Sequence, residues 1–154
     1  MKTTKQWNHI VTAAAVAWAI SVGAAVTSHA QAPSAASGVW SGVYTEAQAK
    51  RGELTAIKAC ASCHGADLTG GEAGPGLAGL EFLGNWNQQS LGDLFDRIHS
   101  TMPADSPGSL SLQDTADILA RVLQLNKFPT GDKELPTDMN ALNQIKIESQ
   151  PPAK

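Results

Sequence analysis

The segment that decides the fold is Cys60-Ala61-Ser62-Cys63-His64, which contains both cysteines of the chain and one of its four histidines. Two thiols three positions apart on a helical turn face the same way, and the imidazole that follows can point to that side as well. A helix leads into the segment, because Thr45 and Gln48 form a capping-box pattern that predicts a helix from Glu46 to about Lys58. Downstream, the stretch from Gly65 to Gly84 holds seven of the fourteen glycines and is predicted to be an irregular loop.

Two more helices are predicted beyond this loop. Ser90 opens the first, which ends before Pro103 and Pro107, and its apolar residues at helical spacing are Leu91, Leu94, Phe95 and Ile98. Ser111 and Asp114 cap the second, which runs to about Leu125 with a stripe formed by Leu112, Ala116, Leu119 and Leu123. No segment alternates in the way a strand does, so the predicted fold class is all-α, with three short helices and long loops. Such helices bury too little apolar surface to be stable alone, so we expect another group to fill their centre.

The chemistry of the segment identifies that group. The pattern C-x-x-C-H is the attachment sequence for haem c, in which both thiols bond to one porphyrin edge and the histidine binds the iron. A C-x-x-C redox pair would accompany a strand–helix–strand pattern, which is absent here, and it does not require the histidine. A zinc site would need a second pair of ligands, and the chain has no other cysteine. One covalently bound haem c is therefore the predicted cofactor.

Length and composition limit the possible functions. The 154 residues suffice for one substantial domain, and 42% hydrophobic with 16% charged residues is typical of a globular chain rather than a disordered one. The formal net charge is −3 and becomes −5 if Lys2 and Lys5 are removed with the N-terminal segment. A protein this acidic is not expected to bind nucleic acid.

The N-terminal residues have the pattern of an export signal. Lys2 and Lys5 precede 17 uncharged residues, Ile10 to Val26, and Ser28-His29-Ala30 supplies small residues before a cleavage point. We expect cleavage after Ala30, because Pro33 would hinder a cut after Ala32. A retained membrane anchor is the alternative, since 17 apolar residues reach the lower limit for a span. Either way the domain is expected outside the cytoplasm, which in a bacterium means the periplasm.

A haem c iron usually has a second protein ligand, and the candidates after the motif are His99, Met102 and Met139. Met102 is favoured because it precedes Pro103, where a helix must stop and the side chain can turn inward. Met139 lies in a polar tail, where packing is the simpler explanation. His99 follows the apolar Ile98 by one position and is expected to face the surface. The predicted metal ligands are therefore His64 and Met102.

These residues resemble a class I c-type cytochrome, and the resemblance extends from Tyr44 to Leu135. Within this class, the chain is most similar to the small cytochromes that are subunits or partners of periplasmic quinoprotein dehydrogenases. The matching segments are Cys60 to Gly65, Gly74-Pro75-Gly76-Leu77-Ala78-Gly79, Phe82 with Trp86, Met102-Pro103-Ala104-Asp105 and Asn126-Lys127-Phe128-Pro129. The resemblance implies a cytochrome c fold, in which helices and loops surround one haem.

The resemblance also implies roles for single residues. Pro75 would offer its backbone carbonyl to His64, and the indole N–H of Trp86 would meet a haem propionate or, alternatively, only pack. Gly52 matches the glycine at which the first and last helices cross, but Arg121 stands where an aromatic residue is expected. The arginine stem could lie across this contact, or Tyr44 or Phe128 could fill it.

The resulting organisation is a signal peptide at 1–30, a flexible leader at 31–43, a cytochrome domain at 44–131 and an extension at 132–154. Two filled axial positions predict a one-electron carrier rather than an enzyme. It would take electrons from a periplasmic dehydrogenase, of which it could be a subunit, and pass them to a downstream oxidase or cytochrome. The alternative is a haem sensor or peroxidase in which Met102 is displaceable. The extension could pack on the domain or dock a partner, and contact with a membrane is expected only if the signal segment is retained.

Overall fold

The computed structural model describes residues 37–153, and almost all of the regular secondary structure in this part of the chain is helical. It contains six α-helices and two strands of two residues each, which confirms the predicted all-α class. A short 3₁₀ helix, Val39–Ser41, precedes the first of them. The elements in chain order are β1 (Ser37–Gly38), α1 (Glu46–Ala59), α2 (Ala61–His64), α3 (Leu80–Trp86), α4 (Leu91–Thr101), α5 (Leu112–Leu125), α6 (Met139–Asn143) and β2 (Ile145–Lys146). No helix among residues 37–153 has the length and hydrophobicity needed to cross a membrane.

The three predicted helices begin where their capping residues place them. The hydroxyls of Thr45, Ser90 and Ser111 each accept a hydrogen bond from the backbone N–H three residues later. At α1 only this half of the expected capping box forms. The amide of Gln48 instead bonds both backbone groups of Leu135, at 2.8 and 3.1 Å. A buried side chain of α1 thereby fixes the chain that follows α5.

Helices α1 and α5 cross at Gly52. A Cβ atom built on Gly52 would collide with the backbone of Asp117 and Ile118, so only glycine permits this approach. Arg121, which stands where an aromatic residue is expected, reaches from α5 to α1. Its guanidinium pairs with Glu53 at 2.8 Å on the edge of the crossing.

Polar and aromatic side chains complete the packing around this crossing. Arg51 of α1 bonds the buried carboxylate of Asp117 at 2.9 Å and pairs with Glu134 at 2.8 Å. Tyr44 and Phe128, the two residues named as alternatives to Arg121, are both buried, and the Tyr44 hydroxyl donates to the Phe128 carbonyl at 2.7 Å. The crossing is therefore bounded by two ion-paired arginines and stabilised by a tyrosine hydrogen bond.

The flexible leader predicted for residues 31–43 is wrong for residues 37–43. Strand β1 pairs in parallel with β2, Val39 is fully buried, and the indole N–H of Trp40 donates to the Glu148 carbonyl at 2.8 Å. These contacts come from the other end of the chain, so local composition could not reveal them. The predicted signal peptide at 1–30 and residues 31–36 of the leader lie outside the described residues.

The extension packs on the domain, which is the first of the two roles that its sequence left open. Its four apolar side chains are buried: Leu135, Leu142, Ile145 and Ile147. Ile147 also exchanges two backbone hydrogen bonds with the α3–α4 connection, accepting from Gln88 at 2.7 Å and donating to Gln89 at 2.9 Å. The extension is therefore part of the folded domain, and these four side chains belong to its core.

Two further sequence predictions need correction. The predicted irregular stretch from Gly65 to Gly84 overlaps α3, because the helix begins directly after Gly79 and contains Gly84. It buries Phe82, whose apolar contact outweighs the single glycine. Leu112 was placed in the buried stripe of α5, yet it is 49% exposed because it occupies the first position of the helix.

Candidate haem site

A cavity of about 830 Å³ lies where α1 runs into α2, facing α3, α4 and α5. This volume falls within the roughly 300–1,000 Å³ of small-molecule and cofactor sites. Its lining is mostly apolar and includes every predicted site residue: Cys60, Cys63, His64, Pro75, Trp86 and Met102. The fold therefore brings together side chains that are up to 42 positions apart in the sequence.

The attachment segment forms one tight turn. Cys60 ends α1 by donating its N–H to the Ala56 carbonyl at 2.8 Å, and its own carbonyl accepts from the His64 N–H at 2.9 Å. Cys60 is buried and Cys63 is exposed, and the two thiols are not joined by a disulfide. Burial, with a smaller contribution from Cys63, raises the pKa of the Cys60 thiol. The turn thus presents one inner and one outer thiol to the same cavity.

The ring of His64 is positioned by the loop that contains Gly74 and Pro75. Its Nδ1 lies 2.6 Å from the Pro75 carbonyl oxygen, and because a carbonyl only accepts, Nδ1 carries the proton. The Nε2 lone pair is then free to bind a metal. A Cβ atom at Gly74 would lie 3.0 Å from Nδ1 and from Cε1 of the ring, so glycine leaves the room that the imidazole needs. Backbone contacts therefore fix both the tautomer and the orientation of the ring.

Of the three candidates for the second ligand, Met102 alone lines the cavity. It follows α4 directly, with its N–H bonded to the Ile98 carbonyl at 3.0 Å, and it is half-buried. The His99 ring instead packs near Phe95, and its Nδ1 is 3.4 Å from the Thr115 hydroxyl. Met139 lies on α6 and is 37% exposed. The geometry favours Met102 as the ligand opposite His64.

Aromatic side chains of α3 form another part of the cavity wall. The rings of Phe82 and Trp86 are 6.3 Å apart between centroids, and both line the cavity, as do Ile118 and Val122 of α5. Sequence reasoning assigned Trp86 but missed the α5 residues. Ile118 and Val122 are four positions apart on the buried face of α5. This spacing indicates core packing, but it does not distinguish a core contact from a cavity wall.

Two segments that carried the family resemblance contact each other beside the cavity. The side-chain amide of Asn126 accepts a hydrogen bond from the Gly79 N–H at 3.0 Å and donates to the Leu77 carbonyl at 2.9 Å. The Gly-Pro-Gly loop, which holds His64 through Pro75, is thereby tied to the end of α5. These two hydrogen bonds hold the loop in position, although it has no regular secondary structure.

The residues present fit a haem c. Two thiols, an imidazole nitrogen with a free lone pair and a thioether surround an apolar cavity of suitable volume. Cys60 and Cys63 would hold the porphyrin covalently, and His64 and Met102 would bind the iron. The group would supply a one-electron couple between ferric and ferrous iron.

The comparison with known proteins agrees with this site. Residues 47–120 match the model of the family described as cytochrome c oxidase, cbb3-type, subunit III. No curated protein and no solved structure gives a match. The matched residues run from α1 through most of α5 and include the attachment segment and Met102. The match supports a c-type cytochrome, and such a domain implies haem c and haem-based electron transfer by a protein that is not an enzyme in itself.

Proposed function

We propose that this chain is a periplasmic one-electron carrier with a single haem c bound by His64 and Met102. It accepts electrons from a periplasmic dehydrogenase and passes them to a downstream oxidase or cytochrome. The observation that carries the proposal is the cavity itself, which collects both cysteines, one imidazole and one thioether and excludes the competing ligands His99 and Met139.

The two proposed axial ligands decide the kind of chemistry. If a nitrogen of His64 and the sulfur of Met102 both bound the iron, no coordination position would remain for oxygen or peroxide. The thioether favours ferrous iron, and an apolar cavity disfavours the additional positive charge of the ferric state. Both effects would raise the reduction potential of the haem. The iron would keep the same two ligands in the ferric and ferrous states.

The mouth of the cavity suits brief contacts with redox partners. Several exposed lining residues are small or uncharged, among them Ser62, Cys63, Ala73 and Ala104. Transient electron-transfer complexes bury small areas, below about 1,200 Å² in total, and need an accessible edge more than a deep interface. The exposed Cys63 offers such an edge because a porphyrin bonded to it would reach the surface there.

Other features support the placement in the cell. The export signal predicted at 1–30 supports a periplasmic location, and the match to an oxidase-subunit family supports a respiratory role. The Gly74–Gly79 and Asn126–Pro129 segments support a quinoprotein dehydrogenase as the electron donor, through their resemblance to the cytochromes that serve such enzymes. The free carrier and the fixed dehydrogenase subunit are two forms of the same proposal.

Carbon monoxide distinguishes a carrier from a haem sensor or peroxidase. The reduced wild-type protein should not bind carbon monoxide at neutral pH, whereas Met102→Ala should bind it rapidly while keeping its haem attached. Absorption spectra before and after exposure to the gas measure both. Rapid binding by the wild type would overturn the carrier and favour the sensor. If Met102→Ala has an unchanged spectrum, Met102 is not the ligand.

A further inference from the structure

The helix that carries the second ligand is held at its beginning by the C-terminal extension. Met102 directly follows α4, and α4 packs against α6 and β2 of the extension as well as against α5. Helix α4 has 11 residues and is therefore about 16 Å long. Because so short a helix moves as a rigid element, a displacement at its beginning also displaces Met102 at its end.

The beginning of α4 is in contact with Asn143, the last residue of α6. Gly92 is buried in the first turn of α4, and a Cβ atom built there would collide with the Asn143 side chain and lie 3.2 Å from the Asn143 backbone nitrogen. Oδ1 of Asn143 also lies 3.1 Å from Oγ of Ser90, the residue that caps α4. Asn143 therefore rests directly on the backbone of α4.

Further contacts of the extension hold the chain that leads into α4. The backbone of Ile147 exchanges two hydrogen bonds with the α3–α4 connection, and the Ser149 N–H donates to the side-chain oxygen of Asn87 at 2.9 Å. Leu142, which precedes Asn143, is fully buried and anchors α6 to the domain. The extension therefore sets the position at which α4 begins.

The segment after Met102 gives the ligand much less support. Residues 104–109 are exposed. Within the part of the chain that the structure describes, the hydrogen bonds of residues 103–109 join only members of that segment, for example the Ser106 N–H to the Pro103 carbonyl at 2.9 Å. The position of Met102 at the cavity therefore depends on α4.

We propose that Asn143 is a positioning residue that, through its contact with Gly92, holds α4 where Met102 binds the haem iron. The inference rests on the proposed function, because it requires Met102 as the second ligand. A side chain added at Gly92 would push α4 away from α6, and a shorter side chain at Asn143 would leave a gap into which α4 can move. Either change raises the fraction of the protein in which the Met102 sulfur is off the iron.

The test is carbon monoxide binding by the intact reduced holoprotein at neutral pH, together with the sulfur-to-iron charge-transfer band in the absorption spectrum of the ferric form. At a fixed gas concentration, the binding rate follows the fraction of protein with Met102 off the iron. Gly92→Ala should raise this rate by about tenfold and weaken the band, because the added methyl group meets an occupied position.

Two asparagines of α6 supply a variant and its matched control. Asn143→Ala should fold, because the side chain is exposed, and it should raise the carbon monoxide binding rate by about threefold through the gap it leaves beside Gly92. Asn140→Ala shortens another exposed asparagine of the same helix and should leave both the rate and the band unchanged.

The double variant Gly92→Ala with Asn143→Ala separates positioning from a general loss of stability. Removing the Asn143 side chain makes room for the new methyl group, so the double variant should bind carbon monoxide at the rate of Asn143→Ala. Two independent losses of stability would multiply instead, and the double variant would bind faster than either single variant. That result would overturn the proposal.

The remaining outcomes are also decisive. The proposal fails if Gly92→Ala, once folded, has the wild-type rate and band, or if Asn143→Ala does not differ from Asn140→Ala. The comparison of the two asparagine variants applies even if Gly92→Ala does not fold. A wild-type protein that lacks the charge-transfer band and binds carbon monoxide rapidly overturns the proposed function itself, so the two failures are distinguishable.

Discussion

Gly52→Ala tests the helix crossing that supports the whole site. α1 ends at the attachment segment, and α5 supplies Ile118 and Val122 to the cavity. The structure allows no Cβ atom at Gly52, because the backbone of Asp117 and Ile118 already occupies that space. One added methyl group must therefore push the two helices apart.

The size of the effect follows from two opposing contributions. Replacing glycine by alanine inside a helix stabilises it by about 0.5–1 kcal/mol, since alanine loses less conformational freedom on folding. Overpacking costs about 1–3 kcal/mol, and the upper part of that range applies where the obstacle is backbone that cannot rotate away. Gly52→Ala should therefore lower the free energy of unfolding by about 2 kcal/mol.

Gly84→Ala is the matched control. Gly84 also lies in a helix, α3, but a Cβ atom there would have no atom within 4 Å. This variant should gain the helix contribution alone and be stabilised by about 0.5–1 kcal/mol. Guanidinium unfolding of the two holoproteins, followed by far-ultraviolet circular dichroism, measures both changes as midpoint shifts at unchanged slope.

Gly52→Ala and Gly84→Ala are expected to change the free energy of unfolding in opposite directions, so the prediction is easy to refute. If Gly52→Ala unfolds at the same denaturant concentration as the wild type, or at a higher one, while Gly84→Ala is stabilised, then α1 and α5 do not meet at Gly52. The arrangement of the attachment segment over α5 would then be wrong as well, because the crossing positions one against the other.

Three further predictions concern the extension, the cap of α4 and the axial ligand. Leu142→Ala should lower the free energy of unfolding by about 2–5 kcal/mol because Leu142 is fully buried. Met139→Ala on the same helix should cost less than about 1 kcal/mol, and equal thermal melting of the two variants would contradict the packing of the extension. Ser90→Ala should cost about 1 kcal/mol at neutral pH. The Ser90 hydroxyl donates to the Asp93 carboxylate and lowers its pKa, so the part of the cost that comes from this bond is complete above the unfolded-state pKa of about 4 and is lost as the pH falls through the folded-state pKa. Denaturation curves at several pH values should show the gap between wild type and variant narrowing in acid to the part supplied by the Asp93 N–H, and a gap independent of pH would argue against the capping box. Met102→Ala should lower the reduction potential, and a potentiometric titration that finds no change would remove Met102 from the iron.

The parts of the fold that sequence predicts well are those with local causes. Ser90 and Ser111 begin their helices because a hydroxyl and an N–H three residues apart need only one turn to meet. The attachment segment is equally local, and its five adjacent residues predicted a shared site for both thiols and His64. The prediction of the second ligand needs a longer inference: Pro103 must end the helix, so the side chain of Met102 before it can turn inward. The structure places Met102 at the cavity.

The parts that sequence did not predict depend on distant contacts. Strand β1 exists because residues 37–38 meet residues 145–146, and two residues are too short for any visible alternation. The pairing of Arg121 with Glu53 depends on how two helices cross, which neither helix encodes alone. Nothing in the sequence singled out Arg97, and only the assembled cavity shows that it lines the cofactor site.

The central claim is that a haem is covalently bonded to Cys60 and Cys63 and forms the centre of this fold. The most direct measurement is the absorption spectrum of the exported full-length protein, oxidised and reduced, after a denaturing extraction that removes non-covalent haem. We expect the haem spectrum to stay with the polypeptide, and the double variant Cys60→Ala with Cys63→Ala to yield no stable folded protein. A colourless wild-type protein that remains compactly folded would contradict the central claim.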